Sequence, residues 1–212
     1  MEITKDVYQL ECSNHGHVFL IKADECILID TGMPGLSENI LAEIESLDVP
    51  VQNIKKILLT HHDVDHIGNA KQLQDATGAQ LWAPREDIPY IIGAKNRSGI
   101  KRIIQSIVRP SKPSIFDYYK ENQCFGELKV IRAPGHTPGH SIFLYRNILF
   151  TGDLFKVLNG EFQLMPKFMN WKSKEVEKSI SLIKDLKYDW ICPSHGNPIH
   201  RREVTEAFLS HF

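Results

Sequence analysis

The sequence predicts one β-rich domain of mixed α and β structure, with a single helical insertion. Its 212 residues are 42% hydrophobic, which is enough apolar material for one sizeable core. Short runs rich in β-branched residues recur along the chain, and amphipathic stretches of helical period lie between them. Basic and acidic residues nearly balance, at 25 and 26, so the composition excludes a disordered chain and argues against a surface organised as a whole around nucleic acid.

The first 83 residues alternate between predicted strands and predicted helices. Strands are indicated where short apolar runs end in turn residues. Helices are indicated where leucine and isoleucine recur on one face, as they do from Leu36 to Leu47. The elements predicted in this part are strands at 18–21, 26–29, 54–59 and 80–83, and helices at 36–47 and 68–77. A polar loop at 60–66 follows the third of these strands.

The alternation is interrupted at residues 84–120, which we interpret as a helical cap insertion. Its helical stretch has one apolar face, formed by Ile100, Ile103, Ile104, Ile107 and Val108. Between residues 93 and 116 there are six basic residues and no acidic one: Lys95, Arg97, Lys101, Arg102, Arg109 and Lys112. Because the whole chain has a net charge of −1, the remainder carries −7.

Two interpretations of the insertion are open. In one, the helix buries its isoleucine and valine face and leaves a solvated basic face. In the other, the insertion covers a functional site, apolar beneath and basic at the rim, and is suited to an acyl chain with an anionic group. The aromatic residues that flank the insertion and would line such a pocket are Tyr90, Phe116, Tyr118 and Tyr119.

The chain returns to β structure after the insertion. The elements predicted here are strands at 128–132, 141–144, 148–151 and 190–192, a helix at 174–186 and a terminal helix from about residue 201. The first ten residues lack the pattern of a signal peptide, and no stretch approaches the ~20 apolar residues of a membrane span. The four cysteines have no paired or metal-ligand spacing. We therefore expect a soluble, cytoplasmic protein without a membrane partner.

Histidine is unusually frequent, with ten residues, and several of them lie in loops that follow predicted strands. The segment from His61 to His66 has three histidines and two aspartates within six positions. Further loops contain His136 and His140, then Asp153, then His195. Each loop taken alone is typical of an ordinary turn. Four such loops in series, each with histidine or aspartate, indicate a metal site. These polar side chains are costly to bury in a core but are good metal ligands.

This ordered set resembles the metallo-β-lactamase-fold hydrolase superfamily, whose signature is HxHxDH followed by His, Asp and His. The resemblance covers nearly the whole chain and implies an α+β fold, a four-layer αββα sandwich with a dinuclear metal site at one sheet edge. It implies that His61, Asp63 and His136 hold the first metal, that Asp65, His66 and His195 hold the second, and that Asp153 bridges them. Asp30 and His140 would support the ligand loops from behind.

Asp63 departs from the family pattern, which has a second histidine there. His62 is not a substitute, because neighbouring side chains in an extended loop point in opposite directions. The family implies zinc as the usual metal. A third aspartate makes the site less positive and adds an oxygen ligand, which favours Mn or Fe relative to Zn. We therefore expect two divalent cations, with a harder or mixed metal set or a weakly held first metal.

The resemblance implies a hydrolase in which a metal-bound hydroxide cleaves a small ester, lactone or thioester. Asp65 would orient the nucleophile and transfer a proton, and Lys156 would hold a substrate carboxylate or the developing oxyanion. A solvated surface lysine is the alternative for Lys156. The expected partner is a small molecule, acyl and anionic in character. Nucleic acid is not expected as a ligand, and a homodimer is compatible with the sequence.

Other functions share these ligands. A mononuclear iron sulfur dioxygenase would suit the aspartate at position 63, and a phosphodiesterase or nuclease would use the basic insertion, although the insertion lacks the aromatic interleaving of single-strand binders. A glutathione thioesterase is disfavoured by the lack of the extended C-terminal helical region of that group, and true β-lactamases have a different ligand set. A metal-binding partner protein without turnover is the non-enzymatic alternative.

Overall fold

The computed structural model describes residues 1–97, 99–158 and 160–203. The chain divides into two compact units, an N-terminal unit (Met1–Tyr118) and a C-terminal unit (Tyr119–Phe212). The boundary falls two residues before the end of the predicted insertion. A single domain with a cap at 84–120 stays a prediction. All four cysteines are free thiols, as the sequence predicts.

The N-terminal unit is built on a seven-stranded sheet whose strands lie in chain order. The first three pairings are antiparallel and the last three are parallel. The strands are β1 (Glu2–Thr4), β2 (Val7–Gln9), β3 (Phe19–Ile21), β4 (Cys26–Ile29), β5 (Ile54–Leu58), β6 (Gln80–Ala83) and β7 (Asp117–Tyr118). Since β4 and β5 are parallel neighbours, the loops after their carboxyl ends meet at the same sheet edge.

Among the residues described, five α-helices and one 3₁₀ helix (Val51–Asn53) accompany this sheet. The helices are α1 (Ser37–Ser46), α2 (Val64–Ile67), α3 (Ala70–Thr77), α4 (Ile88–Ile91) and α5 (Gly99–Ile107). Helix α1 forms where the sequence predicts it, and Ile40 and Ile44, one turn apart, are fully buried. Together with Leu73 of α3 they pack into the core that includes Leu28 and Ile57 of the sheet.

The predicted helix at 68–77 is α3, which begins two residues later, at Ala70. A separate short helix, α2, includes the last residues of the predicted loop at 60–66. The break lies at Gly68 and Asn69. A Cβ at Gly68 would be 2.3 Å from the carbonyl oxygen of Gly32, so this position requires glycine. The Asn69 amide donates to the carbonyl oxygens of Thr31 and Met33 at 2.6 and 2.7 Å. Asp65 and His66 therefore lie on a one-turn helix.

The first interpretation of the insertion, in which its isoleucine and valine face is buried, is wrong for three of the isoleucines. Ile100, Ile103 and Ile107 are 39, 58 and 78% exposed, whereas Arg97 is only 4% exposed. The reason is electrostatic, because Arg97 and Lys101 face the buried carboxylate of Asp63. Burying a carboxylate without a cation is more costly than leaving an isoleucine in water.

The C-terminal unit has a six-stranded sheet in the order β15-β14-β11-β10-β9-β8 and a separate two-stranded sheet. The strands are β8 (Cys124–Phe125), β9 (Leu128–Arg132), β10 (Ser141–Tyr145), β11 (Ile148–Gly152), β12 (Lys156–Leu158), β13 (Glu161–Gln163), β14 (Trp190–Pro193) and β15 (Ile199–His200). Only β11 and β14 pair in parallel within the six-stranded sheet.

Helix α6 (Ser173–Lys184) covers this sheet with one apolar face. Val176, Ile180 and Ile183 are spaced by four and three residues and are buried in the core of the unit. The remaining helical segments are 3₁₀ turns at Lys167–Met169 and Arg201–Glu203. The rest of the predicted terminal helix, 204–212, lies outside the described residues. Within the part of the chain that is described, no helix is long and apolar enough to cross a membrane.

Candidate metal centre

The ligand loop of the N-terminal unit (60–66) is tied to the preceding strand by Asp30. Asp30 follows β4 with φ +58° and is fully buried. Its carboxylate accepts hydrogen bonds from the backbone N–H and the hydroxyl of Thr60, both at 2.7 Å. It also accepts from Nδ1 of His66 at 2.8 Å. One carboxylate thus fixes both ends of the loop. The family resemblance implies this supporting role for Asp30.

Both His61 and His66 have their proton on Nδ1. His66 Nδ1 faces a carboxylate oxygen, which can only accept. The Thr60 hydroxyl donates to Asp30, so it accepts from His61 Nδ1 at 2.9 Å. In neutral rings the Nε2 atoms then carry lone pairs. His61 Nε2 lies 3.6 Å from Asp63 Oδ2, and His66 Nε2 lies 3.7 Å from Asp65 Oδ2. This is the arrangement of a metal-binding histidine, whose other nitrogen is held by a protein oxygen.

Asp63 is surrounded by cations from the insertion. Lys101 Nζ lies 2.6 Å from its Oδ2, and Arg97 Nε lies 3.9 Å from its Oδ1. Arg97 also donates to the carbonyl oxygen of His62. Burial lowers the pKa of Arg97, while the charges of Asp63, Asp87 and Asp65 act in the opposite direction. The sequence prediction did not give Arg97 and Lys101 this role, although a basic segment without any acidic residue was the available signal.

His62 contacts two carboxylates, and its Nε2 lies 3.7 Å from Asp63 Oδ1. Its Nδ1 lies 2.9 Å from the buried carboxylate of Asp87, which also accepts from the His62 backbone N–H at 3.1 Å. Its ring stacks on Tyr90 with centroids 4.4 Å apart. His62 therefore anchors the loop to the start of α4, and the two oxygens of Asp63 face different rings, those of His61 and His62.

In the C-terminal unit a second group, the Asp153 cluster, is centred on one carboxylate that follows β11. Asp153 Oδ2 lies 3.3 Å from Nε2 of His136, and Oδ1 lies 3.3 Å from Nε2 of His195. His136 Nδ1 donates to the side-chain oxygen of Asn170 at 3.0 Å, so its Nε2 also carries the lone pair. Each oxygen of Asp153 thus faces a different imidazole, which is the geometry of a carboxylate shared by two cations.

His140 lies behind Asp153. Its Nδ1 donates to the carbonyl oxygen of Ala133 at 3.0 Å, and its Nε2 accepts from the backbone N–H of Asp153 at 3.0 Å. Since both ring nitrogens are engaged by the backbone, His140 supports the loop and has no donor atom for a metal. Lys156 starts β12, is half-buried, and pairs with Gln163 across the two-stranded sheet.

The family model of the metallo-beta-lactamase superfamily matches residues 14–195. The chain belongs to this superfamily. Its α+β fold class, predicted from the sequence, is confirmed by the match and by solved structures. These include metallo-beta-lactamases from Legionella gormanii and Cronobacter sakazakii, with TM-scores of 0.74 and 0.73 at 18 and 16% identity. Both cover 92% of this chain, and the chain covers 78 and 79% of theirs, so the likeness extends over the fold.

Relatives of this superfamily member include a probable metallo-hydrolase of Bacillus subtilis, YybB. It is 28% identical over 86% of this chain and 81% of its own length. The hydroxyacylglutathione hydrolase GloC of Haemophilus influenzae is 32% identical over 69% of this chain and 67% of its own length. A hydroxyacylglutathione hydrolase of Rhodospirillum rubrum is 30% identical over 71% of this chain, which spans 52% of that protein.

The residues of both groups fit divalent cations. Two ligands at the usual ~2.0–2.1 Å from a tetrahedral zinc lie roughly 3.4 Å apart. The nitrogen-to-oxygen distances within each group, 3.3 to 3.7 Å, correspond to this separation and exceed a hydrogen bond. The side chains that could hold a metal are His61, Asp63, Asp65, His66, His136, Asp153 and His195.

Proposed function

We propose that this metallo-hydrolase cleaves a small acyl ester, lactone or thioester, and that a thioester is its natural class of substrate. The proposal is carried by an arrangement that His61, His66 and His136 share. In each ring, Nδ1 is hydrogen-bonded to a protein oxygen and Nε2 faces a carboxylate. The thioester is supported by the hydroxyacylglutathione hydrolases among the relatives, which are named for that reaction.

We infer that the ligand loop and the Asp153 cluster belong to one dinuclear centre. His61, Asp63 and His136 would hold one cation and Asp65, His66 and His195 the other, with Asp153 between them, as the family pattern implies. Zinc is the metal that the family favours. Bound divalent cations would supply Lewis acidity, which activates water and polarises a carbonyl group.

The extra negative charge of Asp63 is offset by Lys101, 2.6 Å away, and by the buried Arg97. This weakens the charge argument for Mn or Fe. With a cation beside Asp63, the net charge around the first metal is close to what it would be with a neutral histidine at position 63. The oxygen donor still favours a harder metal. We propose a first metal that competes with Lys101 for Asp63 and is therefore held less tightly than the second.

Two residues of this chain would assist bond cleavage. Asp65 is the most exposed carboxylate among the proposed ligands, with its side chain 21% exposed, and would orient the attacking water and accept its proton. Lys156 follows Asp153 by three residues and would hold the oxyanion through its ammonium group. The leaving thiol then takes up the proton that Asp65 carries.

The test is hydrolysis of a panel of thioesters, lactones, carboxyl esters and phosphodiesters, with Zn, Mn or Fe added, together with measurement of metal content. Asp153→Asn should lose metal and activity together, and His61→Ala should do the same. Asp185→Asn, which changes an exposed aspartate, is the matched control. An Asp153→Asn protein with full metal content and no activity would contradict the ligand assignment.

The same panel decides between the other functions. Activity confined to phosphodiesters would identify a phosphodiesterase, and oxygen consumption with a persulfide substrate would identify a dioxygenase. Metal binding without turnover on any substrate would identify a binding protein. Each of these results would overturn the proposed thioester hydrolysis.

A further inference from the structure

A second polar site lies in the N-terminal unit, in a cavity of about 350 Å³ beside the ligand loop. We call it the basic cavity. Its walls include Ile67 and Tyr90, and four cations line it: Arg97, Arg102, Arg109 and Lys112. A volume of this size is typical of a small-molecule site. None of the described residues that line it is acidic.

Three of the four cations have no acidic partner within the described part of the chain. Arg97 faces Asp63, but Arg102, Arg109 and Lys112 form no ion pair among the described residues. These three side chains are exposed, and several cations that line one cavity without a counter-charge give it a positive potential that attracts an anion. The cavity therefore has the charge of an anion site.

Local contacts direct two of these cations towards the cavity. A Cβ at Gly93 would be 2.7 Å from both Cε and Nζ of Lys112, so the lysine end lies directly against the glycine backbone. Arg109 Nε donates to the carbonyl oxygen of Ser106 at 3.2 Å, which holds one edge of the guanidinium group. The two contacts give the charged ends fixed supports within the insertion.

Arg97 connects the basic cavity to the ligand loop. It lines the cavity, and its buried guanidinium group contacts Asp63 and the carbonyl oxygen of His62. Ile67, which follows His66, lines the cavity as well. A molecule with its anionic part in the cavity would therefore extend along the residues that we assign to metal binding.

The number and type of cations favour phosphate. Guanidinium groups bind phosphate through two parallel hydrogen bonds, and an ammonium group adds a point charge. A single carboxylate would leave most of the positive charge in the cavity uncompensated, whereas two phosphate groups carry three or four negative charges. We propose that the basic cavity binds phosphate groups of the substrate's thiol part, so that the substrate is a thioester of a phosphorylated thiol. The thioester in this statement rests on the proposed function, and the phosphate site does not.

Calorimetric titration of the metal-loaded full chain with inorganic diphosphate tests the site directly. The triple variant Arg102→Gln/Arg109→Gln/Lys112→Gln should bind diphosphate at least about tenfold more weakly than the parent, because it loses three charged contacts. The control Lys129→Gln/Lys174→Gln/Lys187→Gln removes the same charge from exposed positions of the C-terminal unit and should bind as the parent does.

Two results would overturn the phosphate site. Equal diphosphate affinity in the parent and the triple variant would show that diphosphate binds outside the basic cavity. If Asp153→Asn then lost diphosphate binding and the triple variant did not, the diphosphate would be bound by the metals. Tighter binding of citrate than of diphosphate, with citrate binding lost in the triple variant, would identify a carboxylate site.

Hydrolysis assays then test the phosphate site and the thioesterase activity independently of each other. With one acyl group on a phosphorylated and on an unphosphorylated pantetheine thiol, the triple variant should raise KM about tenfold for the phosphorylated thioester alone, with kcat unchanged. Diphosphate binding without thioester cleavage would refute the proposed function and keep the phosphate site. Cleavage of both thioesters with equal KM in the parent would refute the phosphate proposal and keep the hydrolase.

Discussion

The ligand loop and the Asp153 cluster present the same kinds of ligand but are supported in different ways. In the ligand loop two of the supporting groups are charged: Asp30 holds His66, and Lys101 contacts Asp63. In the Asp153 cluster they are neutral: an amide oxygen of Asn170 holds His136, and His140 holds the Asp153 backbone. Charged support acts over a longer distance and carries a larger penalty when one partner is removed. We therefore expect substitutions around the ligand loop to have the larger effects.

Removal of the Asp30 carboxylate should have the largest effect. Asp30→Ala leaves the Thr60 N–H and His66 Nδ1 buried without their acceptor. Metal affinity should fall by about 100-fold and the free energy of unfolding by about 3 kcal/mol. Asn170→Ala, the equivalent change in the Asp153 cluster, should reduce metal affinity by about tenfold. Competition titration with a chelator and thermal unfolding measure both, and a larger loss in Asn170→Ala would reverse the comparison.

Lys101→Met should separate metal binding from stability. Without the ammonium group Asp63 is free to serve a cation, so metal affinity should rise by about tenfold. In EDTA the same variant should be less stable by about 1–3 kcal/mol, because the buried carboxylate loses its nearest cation. Lys129→Met is the exposed control. A fall in metal affinity would mean that Lys101 supports the metal rather than competing with it.

The double change Asp63→His/Lys101→Met converts the loop to the usual family pattern. An imidazole replaces a carboxylate, so the ratio of Zn to Mn affinity should rise by about tenfold. Competition between the two metals, followed by elemental analysis, gives the ratio. An unchanged ratio would show that Asp63 does not contact metal.

His62→Ala should have the smallest effect on metal. It removes the contact with Asp87 and the stacking on Tyr90, so Tm should fall by about 3–6 °C while metal content stays at the parent level. Metal analysis with calorimetric unfolding checks both statements. Loss of metal in His62→Ala would place this ring among the ligands.

Much of the fold could be predicted from local pattern. The strands Cys26–Ile29, Gln80–Ala83 and Leu128–Arg132 have the predicted bounds, because each is an apolar run bounded by turn residues. The strands of two residues, such as β7 and β8, are too short to show a period and are not predicted from the sequence. Helix α2 was missed for a related reason, since one turn of helix has no repeat.

The candidate site was predictable where the signal lies in the ligands themselves. The order of His61, His66, His136 and His195 identifies the family. The structure adds which ring nitrogen carries the proton in the first three of them. The cations opposite Asp63 were not predictable, because Arg97 and Lys101 are more than thirty positions away from it. Lys101 lies on α5, whose apolar stripe periodicity alone assigns to the interior, and the buried charge of Asp63 reverses that choice.

The strand order of the N-terminal sheet has a consequence for folding. Each strand from β2 to β7 pairs with the strand just before it in the chain, so its partner has already been synthesised. Pairing between strands that follow one another in the chain lets the sheet grow in the order of synthesis, from its N-terminal strands onwards. Asp30 and Thr60 follow two such consecutive strands, β4 and β5. We therefore expect the ligand loop to reach its final form before the ribosome has supplied His136 or Asp153.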